Sequence, residues 1–450
     1  MNPDSPTYLI TDLTWDGRGV ARTPDGQVIM IPGALPGDRV IAETTQPRKN
    51  EILQGRIIRL REPSPHRIPH LCPHYTDGCS ASPLGAMAYQ AARDWKHHHL
   101  TETLKRIGRV PDPDIRPLIP SPNIWNYRDR IELHILRLAD TWRLAYQSRD
   151  KPIPITNCLL ATEPIQSAIA LLDCALKAGA WDIPSSSNLH KARLLIRDNG
   201  QGGAVVILDV ETGLSSALKS LTTDWLSQSI VTGWQVCVVS RMGERQRHSK
   251  VIAAGGDQSI RVELENRNLS LSPTAFTQVN VHLTPTLIGA VLDNLPASGN
   301  LLDLYGGYGA FALSYALRGG SGVVVESSFG AVAAGERFAE EYRLPVKFLT
   351  LDLNKSGALN SRIDIPVCPQ SIGDYDAVVV DPPRSGLHKP VLDWLNRNCP
   401  ARIVYVSCHP AALARDLTRL TAHRPLFFQP LDMFPNTPDV ETVAVLESKQ

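Results

Sequence analysis

Hydrophobic and polar positions change rhythm along this 450-residue chain, and each change marks a new kind of unit. Through residues 1–60, short β-rich runs (TYLITDL, QVIMIP, DRVIAET, ILQGRIIRL) alternate with DGRG, TPDG and ALPGD, which have turn chemistry. Several short strands at this spacing predict a small β-barrel. From Pro63 to Pro122, two proline-rich segments, PSPHRIPHLCPHYTDGCSASP and PDPDIRPLIPSP, flank a helical pattern, AMAYQAARDWKHHHLTETLKRIGRV. Residues 123–260 mix strand patterns (RIELHIL, KARLLIRD, GAVVILDV, WQVCVVSR) with the helical IQSAIALLDCALKAGA, an α+β reading. Beyond residue 260, apolar runs such as NLLDLYG, GVVVES, YDAVVVDPP and RIVYVSC alternate with helical segments. That alternation predicts an α/β unit with a doubly wound, mostly parallel sheet, whose ligands bind at the carboxyl ends of its strands. The expected division is therefore 1–60, 61–260 and 261–450, with the helix around 84–110 packing on the C-terminal unit.

Composition narrows the picture only a little. Forty-six basic and forty-five acidic residues leave a formal charge of +1, so any polyanion site must come from local clustering. Arg18, Arg22, Arg39, Arg48 and Lys49 fall in or beside predicted turns of the N-terminal barrel, where they would face phosphates. Eight scattered cysteines do not make a disulfide framework, and no run approaches the length of a membrane span. The N-terminus lacks the basic and apolar regions of a secretory signal, so a cytoplasmic protein is expected. Histidines 97–99 are consecutive on a helix and diverge by about 100° each, so they cannot share one metal ion; a solvated or RNA-facing surface is expected.

Candidate chemistry gathers at the C-terminal strand ends. In LLDLYGGYGAFAL, Asp303 sits within a strand and Gly306, Gly307 and Gly309 open a helix, and GVVVES then delivers Glu326 at the next strand end. A glycine turn followed by a strand-end carboxylate suits a nucleoside, with the acid on the ribose hydroxyls. S-adenosyl-L-methionine (SAM) fits this set, and the GxGxxA match at 307–312 keeps NAD as an alternative. Asp381-Pro382-Pro383-Arg384 forms a rigid lip at another strand end, and Cys408 closes the strand IVYVS just before Pro410.

Four ordered motifs, DLYGGYGAF, DPPRSGL, YVSCHPAALARDL and DMFPNTPDVETVAVL, with FTQVN upstream, resemble the RNA uracil-C5 (5-methyluridine) methyltransferase family. The N-terminal DGRGVAR…IPGALPGDRV resembles its TRAM domain, and PNIWNYRDRIELHI…YQSRDKPIPITNCLL its central domain. The resemblance implies Cys408 as nucleophile and Glu441 as base. It implies Gln278, Tyr305, Gly307, Glu326, Asp352 and Asp381 as cofactor-binding residues, and Phe276 and Arg384 at the substrate. It further implies SAM as methyl donor, structured RNA as partner, and the 23S rRNA branch over the tRNA branch. Methyl transfer to a nucleobase amino group through Asp381-Pro382-Pro383, and a catalytically silent RNA-binding protein, are the competing readings.

Two departures stand out. Many TRAM-bearing relatives hold a [4Fe–4S] cluster on four cysteines. Here Cys72, Cys79 and Cys158 match three of them and Ser82 stands at the fourth, so a degenerate cluster site is an expectation weighed against a loop held by packing alone. Gly306 stands where the family motif usually has cysteine, and Ala310 where it often has a small polar residue.

Overall fold

The computed structural model describes residues 6–45, 52–138, 141–147, 151–178, 192–210, 230–242, 246–354 and 375–449. The N-terminal runs form a curled six-stranded sheet, ordered in space Thr7–Leu9, Arg39–Thr45, Leu53–Glu62, Val28–Ile31, Gly19–Arg22, Asp12–Leu13. Side chains alternate across it, so Ile29, Ile31, Val40 and Ala42 meet in a small core of their own. The arginines expected at its turns are already engaged: Arg18 with Asp16 and Gln54, Arg22 with the Gly26 carbonyl, Arg39 with Glu62. Arg48 and Lys49 lie outside the described residues.

The middle of the chain builds a second, seven-stranded sheet between Arg130 and Gly256, with the helix Glu163–Lys177 packed on one face. Arg197, wholly buried, ties this sheet to the segment that follows. Its guanidinium donates to Asp129, to the Thr277 hydroxyl and to the carbonyls of Pro273 and Ala275. A hairpin, Ile260–Leu264 with Arg267–Leu271, then leads into the C-terminal unit.

That unit is a seven-stranded sheet. Asn300–Leu304 is the middle of its five parallel strands, with Ser321–Glu326 and Val346–Thr350 on one side and Ala377–Val380 and Arg402–Ser407 on the other. The last strand, Glu441–Ser448, inserts antiparallel between Arg402–Ser407 and the edge strand His423–Leu431. The strand order reverses between Asn300–Leu304 and Ala377–Val380, which opens a crevice at their carboxyl ends. The proline-rich stretch after residue 110, expected as a boundary, does more than connect. Its backbone runs parallel to the edge strand, with Ile115 paired to Phe428 and Ile119 to Leu431.

The helix Tyr89–Arg106 packs on this C-terminal sheet, where Leu100 and Leu104 join the core formed by Tyr405, Leu413 and Phe428. His98 is exposed, but His99 stacks on Trp95 at 4.9 Å, so only part of the histidine run faces solvent. Lys96, completely buried, donates to Asp432 (2.5 Å) and to the Phe434 carbonyl (2.9 Å). No helix among the described residues is long and apolar enough to cross a membrane.

A buried ion pair that loses one member leaves the other charge uncompensated, at about 3–5 kcal/mol. Lys96→Met is therefore expected to lower unfolding stability by about that amount in urea titrations, and Lys96→Met/Asp432→Leu to recover most of the loss. An unchanged transition midpoint in the single variant would show that the pair is not structural.

Candidate active site

The crevice at the strand reversal is a cavity of about 720 Å³. One end is built by the turn after Leu304. Tyr305 takes a left-handed backbone (φ 62°), which turns the chain sharply out of the sheet. At Gly306 an added Cβ would sit 2.7 Å from Val324 Cγ1 and 2.8 Å from Asp303 Cγ, so the cysteine that the family resemblance places there would not fit this packing. Gly309 (φ 84°) caps the helix Ala310–Leu317, and a Cβ on it would strike the Phe348 ring at 2.9 Å. Asp303 itself is fully buried. Desolvation pushes its carboxyl up to about 8, and its Oδ2 accepts the Ala312 N–H at 3.3 Å.

Glu326 stands at the end of the neighbouring strand. Its carboxylate accepts the backbone N–H groups of Gly307 (3.1 Å), Ser327 (2.7 Å) and Ser328 (2.7 Å), which fixes it at the cavity wall. Leu287, Ile288, Phe311 and Ala331 supply an apolar surface beside it. A strand-end acid, a glycine turn and an apolar slot are the complement of an adenosine, so the residues present fit SAM. Of the cofactor positions expected from sequence, Gln278, Tyr305, Gly307, Glu326 and Asp381 line the cavity. At Asp352 the wall is made instead by Asn354, whose N–H donates to the Asp352 carboxylate at 3.0 Å.

The other end of the cavity holds the reactive groups. The strand Arg402–Ser407 stops at a turn stapled by Ser407, whose hydroxyl accepts the His409 N–H at 3.2 Å. His409 caps the helix Pro410–Leu417, accepting the Ala412 N–H on Nδ1 at 3.1 Å. Cys408 is thereby held between strand end and helix start with its thiol in the cavity. Buried Asp416, from that helix, accepts the Leu387 N–H (2.6 Å) and the Tyr405 hydroxyl (2.9 Å), which locks the Asp381–Leu387 lip against the cysteine turn.

Electrostatics here disfavour charge. Burial, reinforced by Glu441, pushes the Cys408 thiol up to about 12, and the positive charge of Arg384 acts against this. Burial, with Asp381 and Asp439 nearby, also raises Glu441 well above an ordinary carboxyl. Asp381, raised by burial to about 7, accepts a hydrogen bond from Gln278 Nε2 at 3.1 Å. Phe276 lies at the mouth, 60% exposed. Asp439 went unnoticed in the sequence, yet its carboxylate holds Arg384 at 2.8 Å. The only sequence signal was its position two residues before Glu441.

Cys72, Cys79 and Cys158, the positions weighed as a degenerate cluster site, line one small space together with Ser82. The three cysteines surround a space of only about 10 Å³. Ser82 is instead bound to His70, whose Nε2 lies 3.2 Å from its hydroxyl and 3.0 Å from its carbonyl oxygen, and the His70 ring stacks on Tyr75 at 4.0 Å. The Cys72 N–H donates to His70 Nδ1 (3.0 Å), so one imidazole gathers the loop. Among the described residues, no group of three or more His, Cys, Asp or Glu side chains is arranged to hold a metal ion.

Comparison with known proteins agrees with this geometry. The profile described as tRNA (Uracil-5-)-methyltransferase matches residues 226–449, and the TRAM domain profile matches residues 8–57. An uncharacterized RNA methyltransferase of Chlorobaculum tepidum is 27% identical, over 97% of this chain and 95% of its own length. The 23S rRNA (uracil(1939)-C(5))-methyltransferase RlmD of Shewanella sp. MR-7 is 28% identical, over 98% and 95%. The crystal structure of the Pyrococcus abyssi tRNA (uracil-54, C5)-methyltransferase, solved with S-adenosyl-L-homocysteine, shares the fold at a TM-score of 0.75 and 24% identity, covering 98% of this chain and all of that one. The chain belongs to the tRNA (uracil-5-)-methyltransferase family and is a SAM-dependent RNA uracil-C5 methyltransferase with an N-terminal TRAM domain.

Proposed function

We propose that the protein forms 5-methyluridine in structured 23S rRNA, with Cys408 as nucleophile and Glu441 as base. The observation that carries the mechanism is that Cys408 and Glu441 line the same cavity as the Gly307–Glu326 nucleoside wall. Bound SAM supplies an electrophilic methyl group. C5 of uracil is a poor nucleophile, and addition of the Cys408 thiolate to C6 places the electron pair on C5 and the carbonyl. Once C5 has been methylated, Glu441 takes the C5 proton, and the returning electrons expel the thiolate. Arg384 favours the thiolate, and its pairing with Asp439 keeps the guanidinium beside the sulfur. The target base must leave its stack to reach Cys408, and exposed Phe276 offers a face at the entrance. The rRNA preference draws on full-length relatives that carry that name and on the RNA-binding type of the N-terminal sheet. The tRNA reading draws on the description of the family profile and on the fold shared with the archaeal enzyme.

Nucleoside mass spectrometry of unmodified 23S rRNA and tRNA, each incubated with protein and SAM, tests the substrate. New 5-methyluridine is expected in the rRNA; its appearance in tRNA alone would overturn the rRNA assignment. Cys408→Ala is expected to abolish product, whereas Glu441→Gln is expected to methylate and then remain attached to the RNA. Denaturing gels read that attachment, and free RNA with the Gln variant would remove Glu441 as the base.

Burial raises both reacting groups, and each must be without its proton to act, so acid suppresses the reaction. The rate constant kcat/KM is expected to climb steadily between about pH 6 and about pH 9. In Arg384→Gln the same profile is expected to move to higher pH, because the cation that lowers the thiol is gone. A pH-independent rate in single-turnover assays would contradict the assignment of these groups.

A further inference from the structure

A second cavity, of about 290 Å³, opens on the other side of Arg384 and Asp439. That volume is at the small end of ligand pockets, which run from about 300 Å³ upward. Four parts of the chain meet around it: Trp15 and Asp16 from the N-terminal sheet, Cys79–Pro83 from the cysteine loop, Arg128 and Tyr146 from the middle domain, and Thr437–Asp439 from the C-terminal unit. Arg384, paired with Asp439 at 2.8 Å, lines both cavities, so this space adjoins the one that holds Cys408.

The chemistry of the lining is specific. Trp15 is 58% exposed, an unusual expense for an indole unless it has a partner, and it touches the catalytic turn only edge-on through His409 at 6.3 Å. The two acids are already occupied, Asp16 by Arg18 and Asp439 by Arg384. Arg128 is different. Its side chain donates from Nε to the Tyr127 hydroxyl at 3.4 Å, and it makes no ion pair among the described residues. The cavity therefore offers a flat aromatic face and a guanidinium with no carboxylate partner among the described residues, a pairing that suits a base with its phosphate.

We infer that this second cavity is a subsite for one nucleotide flanking the target uridine, whose base stacks on Trp15 and whose phosphate accepts from Arg128. The inference rests on the RNA-methylating reading above. Because the two spaces adjoin at Arg384, a strand whose uridine enters the first can place a neighbouring nucleotide in the second. Binding there selects RNA whose neighbouring nucleotide can also be splayed out, so recognition extends beyond the target base.

The test uses synthetic RNA hairpins carrying the uridine that mass spectrometry locates in the rRNA, each with one flanking nucleotide made abasic. With wild-type protein and tritiated SAM, one abasic position is expected to raise KM for RNA about tenfold with kcat unchanged, the scale of one base–aromatic stack. Trp15→Ala is expected to raise KM for the intact hairpin to a similar degree, leaving KM for SAM unchanged, and the abasic substitution then adds nothing further. Arg128→Gln should also weaken RNA binding and flatten its dependence on salt. If the Trp15→Ala and abasic penalties multiply at every position, or if Trp15→Ala leaves KM for RNA unchanged, the subsite is overturned. Absence of methylation of the intact hairpin by wild-type protein overturns the substrate reading, and the subsite with it.

Discussion

The buried pair of Lys96 and Asp432 is the constraint on which the catalytic end depends. Asp432 begins the loop between the last two strands, and that loop carries Asp439 and delivers Glu441. Left to itself, a nine-residue connection would sample many shapes. Here it is fastened from several directions: Lys96 holds Asp432 and the Phe434 carbonyl, Tyr127 donates to the Pro435 carbonyl, Asn280 to that of Met433, and Asn436 donates to the Ile124 carbonyl. Elements distant in sequence thus decide where Glu441 sits.

The same logic explains why the middle domain cannot be regarded as an appendage. Arg197 reaches from its sheet to fix the Pro273–Thr277 segment, and one residue further on Gln278 holds the Asp381 carboxylate. Asp416 then joins the Asp381–Leu387 lip to the cysteine turn. A continuous set of buried hydrogen bonds runs from the middle sheet into the C-terminal cavity. Each bond is worth only about 1 kcal/mol net, but breaking one leaves a buried group unsatisfied, which costs more.

The alternation of apolar strands and helices after residue 260 made the parallel sheet legible, and the strand-end positions of Glu326, Asp381 and Cys408 followed from it. Periodicity reports whether a segment is a strand but not which neighbour it chooses. Hence the insertion of Glu441–Ser448 between two earlier strands, and the pairing of the proline-rich segment with the sheet edge, had no local signal. Asp439 escaped for a related reason, since its partner Arg384 lies 55 residues away. In the cysteine loop the spacing signalled that Cys72, Cys79 and Cys158 come together, but gave no sign that His70 gathers the loop's hydrogen bonds.

The reluctance of the Cys408 thiol to ionise has a bearing on how long the enzyme lasts. Oxidants and electrophiles attack thiolates, so a cysteine kept protonated by burial is a poor target for peroxide or for alkylating metabolites. A cavity that penalises charge therefore also tempers the reactivity of Cys408 toward oxidants.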